Sequence, residues 1–216
     1  MATIEAVIFD FGGVIVPGGG NIEALTDENT PFGRIEKEFG LQPGTLWRAM
    51  YQNPTWERLR VGEGTHELWH ASVHDALLQQ TDPETARAIL VRLGEKRPVE
   101  FNEGMIELIQ RLRGRVKVGL LSNAAPGLED DLRNHYRIYD LFDDVINSAT
   151  VRLAKPDPRI YRLASERIGV PLERCFFTDD LEHNIEAARQ VGMTAHQFKG
   201  YEGLREALIA AGVNPD

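Results

Sequence analysis

Cysteine is nearly absent. Cys175 is alone among 216 residues, which excludes an internal disulfide framework and fits a reducing compartment such as the cytoplasm. Beside Phe176 and Phe177 the lone thiol is expected to pack as a small buried hydrophobe. Long apolar runs are missing too, since none approaches the roughly 20 residues that span a bilayer. The amino-terminal apolar run is interrupted by Asp10 and lacks a basic flank, so it makes a poor signal peptide. A soluble cytoplasmic protein with no membrane partner is the expectation. Positive charge is scarce: 24 Lys and Arg face 33 Asp and Glu, for a net charge of −9 and a pI near 5.2. That balance argues against a nucleic-acid partner. It still permits phosphate esters, provided that a metal ion and one lysine set the local potential. Repeats and low-complexity stretches are absent as well, and with 42% hydrophobic residues the chain suits one domain with an insertion or two modest domains.

What is present is organised around Val7-Ile8-Phe9-Asp10-Phe11-Gly12-Gly13-Val14. One acid stands in an apolar run followed by two glycines, the pattern of a buried parallel strand that delivers a carboxylate to its carboxyl end. Glycine there allows a sharp turn and close backbone approach to a ligand. Pro17-Gly18-Gly19-Gly20-Asn21 follows, a hinge or linker composition. From about residue 22 to 98 the pattern is helical, with helices expected at Gly33–Phe39, Thr45–Tyr51, Thr65–Leu78 and Pro83–Leu93 and breaks at Gly40, Pro43-Gly44, Pro54, Gly62, Gly64 and Pro98. After that, helix and strand alternate. Strands are expected at Val116–Leu121, around Val145-Ile146, at Cys175–Thr178 and at Ala195–Phe198, with helices between them. The fold class is therefore α/β, a doubly wound parallel sheet with an inserted α-helical cap domain. The expected boundaries are 1–16 and 99–216 for the α/β core and 17–98 for the cap.

Every polar group of interest follows a strand or opens a helix: Asp10, Ser122 with Asn123, Lys155, and Asp179 with Asp180. In a doubly wound sheet these loops share one edge. A carboxylate can attack phosphorus to give an aspartyl-phosphate, while a hydroxyl and an ammonium hold the phosphoryl oxygens. A second carboxylate can join the first around Mg²⁺, a hard cation that takes oxygen ligands.

The four motifs Phe9-Asp10-Phe11-Gly12-Gly13-Val14, Leu121-Ser122-Asn123, Lys155-Pro156-Asp157-Pro158 and Phe177-Thr178-Asp179-Asp180 stand in the order found in the haloacid dehalogenase-like (HAD) hydrolase superfamily. The chain resembles the members with a helical cap, phosphatase-like branch. The resemblance implies a cytoplasmic hydrolase with Mg²⁺ as cofactor and a small phosphorylated metabolite as substrate. It implies Asp10 as nucleophile, and Ser122 and Lys155 as further catalytic residues. Ser122, Asn123 and Lys155 would bind the phosphoryl group, and Asp10, Asp180 and the Gly12 carbonyl would hold the metal. Asp179 would orient Lys155 or a metal-bound water, and Asn184 falls where many relatives carry another acid.

One departure stands out. Phosphatases of the superfamily usually place a second aspartate two residues after the nucleophile as general acid and base, and here that residue is Gly12. General acid-base groups contribute about 10²–10⁴-fold, so a weak phosphatase or a good leaving group is expected. Haloacid dehalogenases also lack that aspartate and use no metal, which keeps a dehalogenase open, as it does a non-catalytic phosphate-binding or interaction protein. His66-Glu67-Leu68-Trp69-His70 matches the H-E-x-x-H zinc pattern. It has no third histidine at metzincin spacing, and two helix-surface histidines are preferred. In the helical segment Trp56, Arg58, Arg60 and Trp69 are candidates to face the cleft.

Overall fold

The computed structural model describes residues 3–18, 30–95 and 98–216. Its centre is a sheet of five strands, β1 (Ala6–Phe9), β2 (Lys117–Ser122), β3 (Asp144–Asn147), β4 (Cys175–Asp179) and β5 (Thr194–Gln197), all parallel and lying in the order 3-2-1-4-5. Side chains of a strand alternate between faces, and β1 shows the consequence. Val7 and Phe9 pack with Val118, Leu120 and Phe176 on one face, whereas Ala6 and Ile8 pack with Ile146 and Phe177 on the other. The first face is covered by α6 (Met105–Leu112), α7 (Leu128–Asn134) and α11 (Tyr201–Ala210), the second by α9 (Pro158–Ile168) and α10 (Glu182–Gln190). Met105, Leu108, Ile109 and Leu112 recur at helical spacing and are all fully buried. Each such side chain contributes about 1.5–3 kcal/mol on leaving water. Cys175 is buried as expected, and burial pushes its thiol up to about 11.

Between β1 and β2 lie α1 (Pro31–Glu38), α2 (Thr45–Tyr51), α3 (Pro54–Leu59), α4 (His66–Leu78) and α5 (Pro83–Gly94). They bury an apolar cluster of their own, Ile35, Leu46, Ala49, Val73, Leu77, Ala86 and Ile89. Local chemistry starts each helix. Thr30, Asn53, Thr65 and Asp82 each accept a backbone N–H of the first turn of α1, α3, α4 and α5, which satisfies donors that have no intrahelical partner. Pro54 begins α3 where the sequence pattern suggested only a break. Proline at the first helical position gives up an N–H that would be unpaired anyway, and Asn53 before it supplies the cap. Glu36 is 3% exposed, and its carboxylate accepts the N–H groups of Gly44 at 2.8 Å and Leu46 at 2.7 Å. A buried anion thus sits at the amino end of α2, where the helix dipole favours it. Gly19-Gly20-Asn21 of the expected hinge, and the start of the helical segment at 22, lie outside the described residues. No described helix is long and apolar enough to cross a membrane.

Candidate active site

The strand order explains why the motifs meet. From β1 the chain steps outward through β2 and β3, then returns to the other side of β1 for β4. The crevice at such a reversal lies beyond the carboxyl ends of the strands. Phe9 is in register with both Leu120 and Thr178, and the Asp10 N–H donates to the Thr178 carbonyl at 2.9 Å. Asp10 is therefore level with Leu121 on one side and Asp179 on the other. Ser122 and Asp180 lie one residue further along the neighbouring strands.

Lys155 is the hub. Its side chain is 1% exposed, and Nζ lies 2.8 Å from Asp10 Oδ1 and 2.6 Å from Asp179 Oδ2. Asp10 Oδ1 also accepts the Phe11 N–H at 2.7 Å, so Oδ2 is the oxygen with no such partner among the described residues. Asp179 is held from the far side, its Oδ1 accepting from the Leu181 N–H at 2.9 Å and from Asn184 Nδ2 at 2.9 Å. Asn184 thus braces Asp179. The loop carrying Lys155 is fixed by Asn123, whose Oδ1 accepts the Lys155 N–H at 2.8 Å while its Nδ2 donates to the Lys155 carbonyl at 2.9 Å. Lys155 precedes a cis peptide bond to Pro156.

Asp10, Asp179 and Asp180 are all buried, with one oxygen from each lying within 4.8 Å of the others, and Lys155 pairs with the first two. Burial holds the Asp10 carboxyl well above its usual value of 3.8; Lys155 opposes that rise, and Asp179 and Asp180 reinforce it. Burial alone would lower Lys155, but Asp10 and Asp179 outweigh it and hold the ammonium above its usual value. An oxygen-only, buried, negatively charged donor set suits a hard divalent cation such as Mg²⁺. Among the described residues it is the one group of histidine, cysteine and acidic side chains with metal-binding spacing. His66 and His70 do not belong to it: both are exposed, and His66 Nε2 lies 3.0 Å from the Pro126 carbonyl.

Gly13 shows why the turn after Asp10 needs glycine. Its φ is +81°, and a Cβ there would lie 2.6 Å from Asp180 Cγ, closer than side-chain atoms pack. A cavity of about 990 Å³ opens over this edge. Asp10, Gly12, Ser122, Asn123, Lys155 and Asp180 line its floor. Its opposite wall comes from the helices between β1 and β2. Trp56, Arg58 and Arg60 line it as anticipated, and the structure adds Phe32, Trp47 and Tyr51. Trp69 is not in that lining; its indole donates to the Met50 carbonyl at 2.7 Å and its ring packs beside the apolar cluster of those helices. Periodicity alone could not separate Trp56 from Trp69, because an aromatic residue on a helix follows the same period whether it faces a core or a cavity. Ser148 was not legible either: its Oγ accepts the Ala124 N–H at 3.0 Å and steadies the loop after Ser122.

A family model described as haloacid dehalogenase-like hydrolase matches residues 4–192. The chain is 26% identical over 147 residues to a fructose-1-phosphate phosphatase of Escherichia coli (strain K12), covering 68% of this chain and 73% of the relative. It is 25% identical over 205 residues to an (S)-2-haloacid dehalogenase of Pseudomonas sp. (strain YL), covering 89% and 81%. Among solved structures, a HAD family enzyme from Bacteroides thetaiotaomicron, in complex with magnesium and inorganic phosphate, matches with a TM-score of 0.63 at 19% identity, over 91% of this chain and 95% of that one. At that identity the likeness is one of fold.

Proposed function

The chain belongs to the haloacid dehalogenase-like hydrolases, and on that premise we propose that it is a Mg²⁺-dependent phosphatase that works through an aspartyl-phosphate on Asp10. The observation that carries this reading is the convergence of three buried acids, Asp10, Asp179 and Asp180, with one oxygen from each within 4.8 Å of the others at the carboxyl edge of the sheet, a donor set that suits a hard divalent cation. In this reading Asp10 and Asp180 hold Mg²⁺, with the Gly12 carbonyl as a backbone ligand. The ion, when bound, neutralises charge on the phosphoryl oxygens.

Asp10 Oδ2 attacks phosphorus in line with the leaving oxygen. The P–O bond to the alcohol breaks as the acyl-phosphate bond forms, and water then cleaves the acyl-phosphate to restore the carboxylate. Phe11 N–H and Lys155 fix Oδ1, so the carboxylate is oriented before substrate arrives. Lys155, held by Asn123 and by Asp179 with Asn184 behind it, and the Ser122 hydroxyl bind phosphoryl oxygens. Gly12 moves no proton, so the departing oxygen takes its proton from water. This favours leaving groups that are already stable as anions. The helices over the cavity act as the cap, and the substrate is a small phosphorylated metabolite. The phosphatase relative from E. coli accords with this reading.

The test is hydrolysis of p-nitrophenyl phosphate. Turnover is expected with Mg²⁺, is lost with chelator, and falls by about 10³-fold or more in Asp10→Asn, the scale of losing a catalytic nucleophile. Full activity in that variant overturns the mechanism. Gly12 and the dehalogenase relative favour one alternative, dehalogenation without metal. Halide release from a 2-haloacid in the presence of chelator would establish it.

A further inference from the structure

The phosphoryl end of the cavity is lined by acids and Lys155, whereas the wall facing it carries a cluster of aromatic rings beside Glu57, Arg58 and Arg60. Tyr51 is the centre of that wall, with ring centroids 5.0 Å from Trp56, 6.2 Å from Trp47 and 6.3 Å from Phe32. Trp47, Tyr51 and Trp56 stand outside the apolar cluster that the neighbouring helices bury. They are half-buried and line the cavity instead. Aromatic surface left facing a cavity rather than packed into a core is surface for a ligand. Desolvation pushes the Tyr51 hydroxyl up to about 12, so the ring at the centre of the wall carries no charge at neutral pH.

Several polar groups on the same wall are engaged with the protein. Asn53 Oδ1 accepts the Trp56 N–H at 2.9 Å, and its Nδ2 donates to the Ala49 and Met50 carbonyls. Arg60 pairs with Glu57 and donates to the Lys155 carbonyl at 3.3 Å, and Arg58 donates to the Glu63 carbonyl at 3.2 Å. A sugar would bring hydroxyls that lose water here and regain few partners, an unfavourable exchange. A ring or an extended hydrocarbon would lose nothing and cover the aromatic faces. A second phosphate would find Arg60 already paired with Glu57.

Resting on the phosphatase reading above, we propose that the preferred substrates are phosphate monoesters of aromatic or extended apolar alcohols, seated against Trp47, Tyr51 and Trp56, rather than phosphorylated sugars. A cavity of about 990 Å³ is ample for such a group, since ligand sites run from about 300 to 1,000 Å³.

The test compares 2-phenylethyl phosphate with glycerol 3-phosphate and glucose 6-phosphate, using the full chain with Mg²⁺. All three leave as primary alcohols, so their ratios report the remainder of the molecule. We expect kcat/KM for the aromatic ester to exceed both others by about tenfold or more, the scale of burying one ring. Trp56→Ala and Trp47→Ala should each shrink that ratio by about fivefold to tenfold, with circular dichroism to check folding. Equal rates, preference for the sugar, or a ratio untouched by both variants overturns the proposal. A binding arm separates its failure from that of the reading beneath it: tryptophan fluorescence titrated with 2-phenylethylphosphonate and with methylphosphonate. If no ester turns over but the aromatic phosphonate binds about tenfold tighter, the proposal stands and the phosphatase reading falls. Equal affinity of the two phosphonates without turnover removes both.

Discussion

The sheet edge and the helical wall opposite it use polar groups in opposite ways. At the edge, residues from distant segments are bound to one another: Asp10, Lys155 and Asp179 form one chain of ion pairs across 169 residue numbers, completed by Asn123 and Asn184. In the helical layer the helix starts are satisfied locally. Thr30, Asn53, Thr65 and Asp82 cap the helix that follows each of them, and the surface left over for a ligand is aromatic. The difference teaches that the two regions are held by different forces. The edge keeps charge in place at an energetic cost, while the layer satisfies its backbone and offers apolar area. On the proposed function, one half would serve the reacting group and the other the part of the substrate that does not react.

Removing the hub should break the edge and leave the layer standing. Lys155→Met strands two buried carboxylates, and unpairing a buried ion pair costs about 3–5 kcal/mol. A urea titration should report a loss of that size, together with loss of phosphatase activity. A loss below about 1 kcal/mol, the scale of an exposed pair, would mean that the pairing at the edge is not what holds it. The converse variant is Glu36→Ala, which frees the N–H groups of Gly44 and Leu46. Hydrogen bonds to a charged group contribute about 1.5–3 kcal/mol each, so a loss of about 3–6 kcal/mol is expected. Hydrogen exchange should localise it to α1 and α2, with the amides of β1 and β4 unaffected. Spreading of the effect to those strands would deny that the two regions are separately held.

Gly12→Asp sharpens the chemical side. A carboxyl two residues from the nucleophile should raise kcat/KM for alkyl phosphates by about tenfold, a fraction of the hundredfold or more that a well-placed acid gives. The rate for p-nitrophenyl phosphate, which needs no acid, should change least. An equal gain for both ester classes would show that protonation is not what limits the enzyme.

The smallest expected effect is on pH dependence. Burial raises Asp10 above 3.8 in the folded protein. Its contribution to stability is therefore fully present below the unfolded value and is lost as pH rises through the raised one. Mg²⁺ takes the place of that proton. The rise in Tm produced by Mg²⁺ should be small at about pH 5 and larger at about pH 8. A shift that is the same at both values would separate metal binding from Asp10.

Legibility in the sequence divides along the same line. Asp10, Ser122, Lys155 and Asp180 were identifiable because each is a polar residue at the end of an apolar run or at the start of a helix, and a parallel sheet gathers such ends at one edge. The structure brings all four to one cavity. The bracing role of the Asn123 side chain was hidden, since its partner is a backbone 32 residues away. So was the acid at the start of α2, as Glu36 sits on the preceding helix in what reads as a charged surface stretch. Trp47 and Tyr51 were hidden for another reason. Aromatic residues on a short helix follow the same period whether they fill a core or face a ligand.

By itself the sequence determined the strands, most helices, the place of the insertion after Asp10 and the acids that could share a cation. Hydrophobic period, capping residues and glycine turns act over a few neighbouring residues, so they are written locally. Tertiary structure alone decided that Lys155 lies between Asp10 and Asp179, that Trp69 turns inward, and that Trp56, with Trp47 and Tyr51, lines the cavity. Those outcomes depend on distances between segments far apart in the chain, which packing of the whole molecule sets.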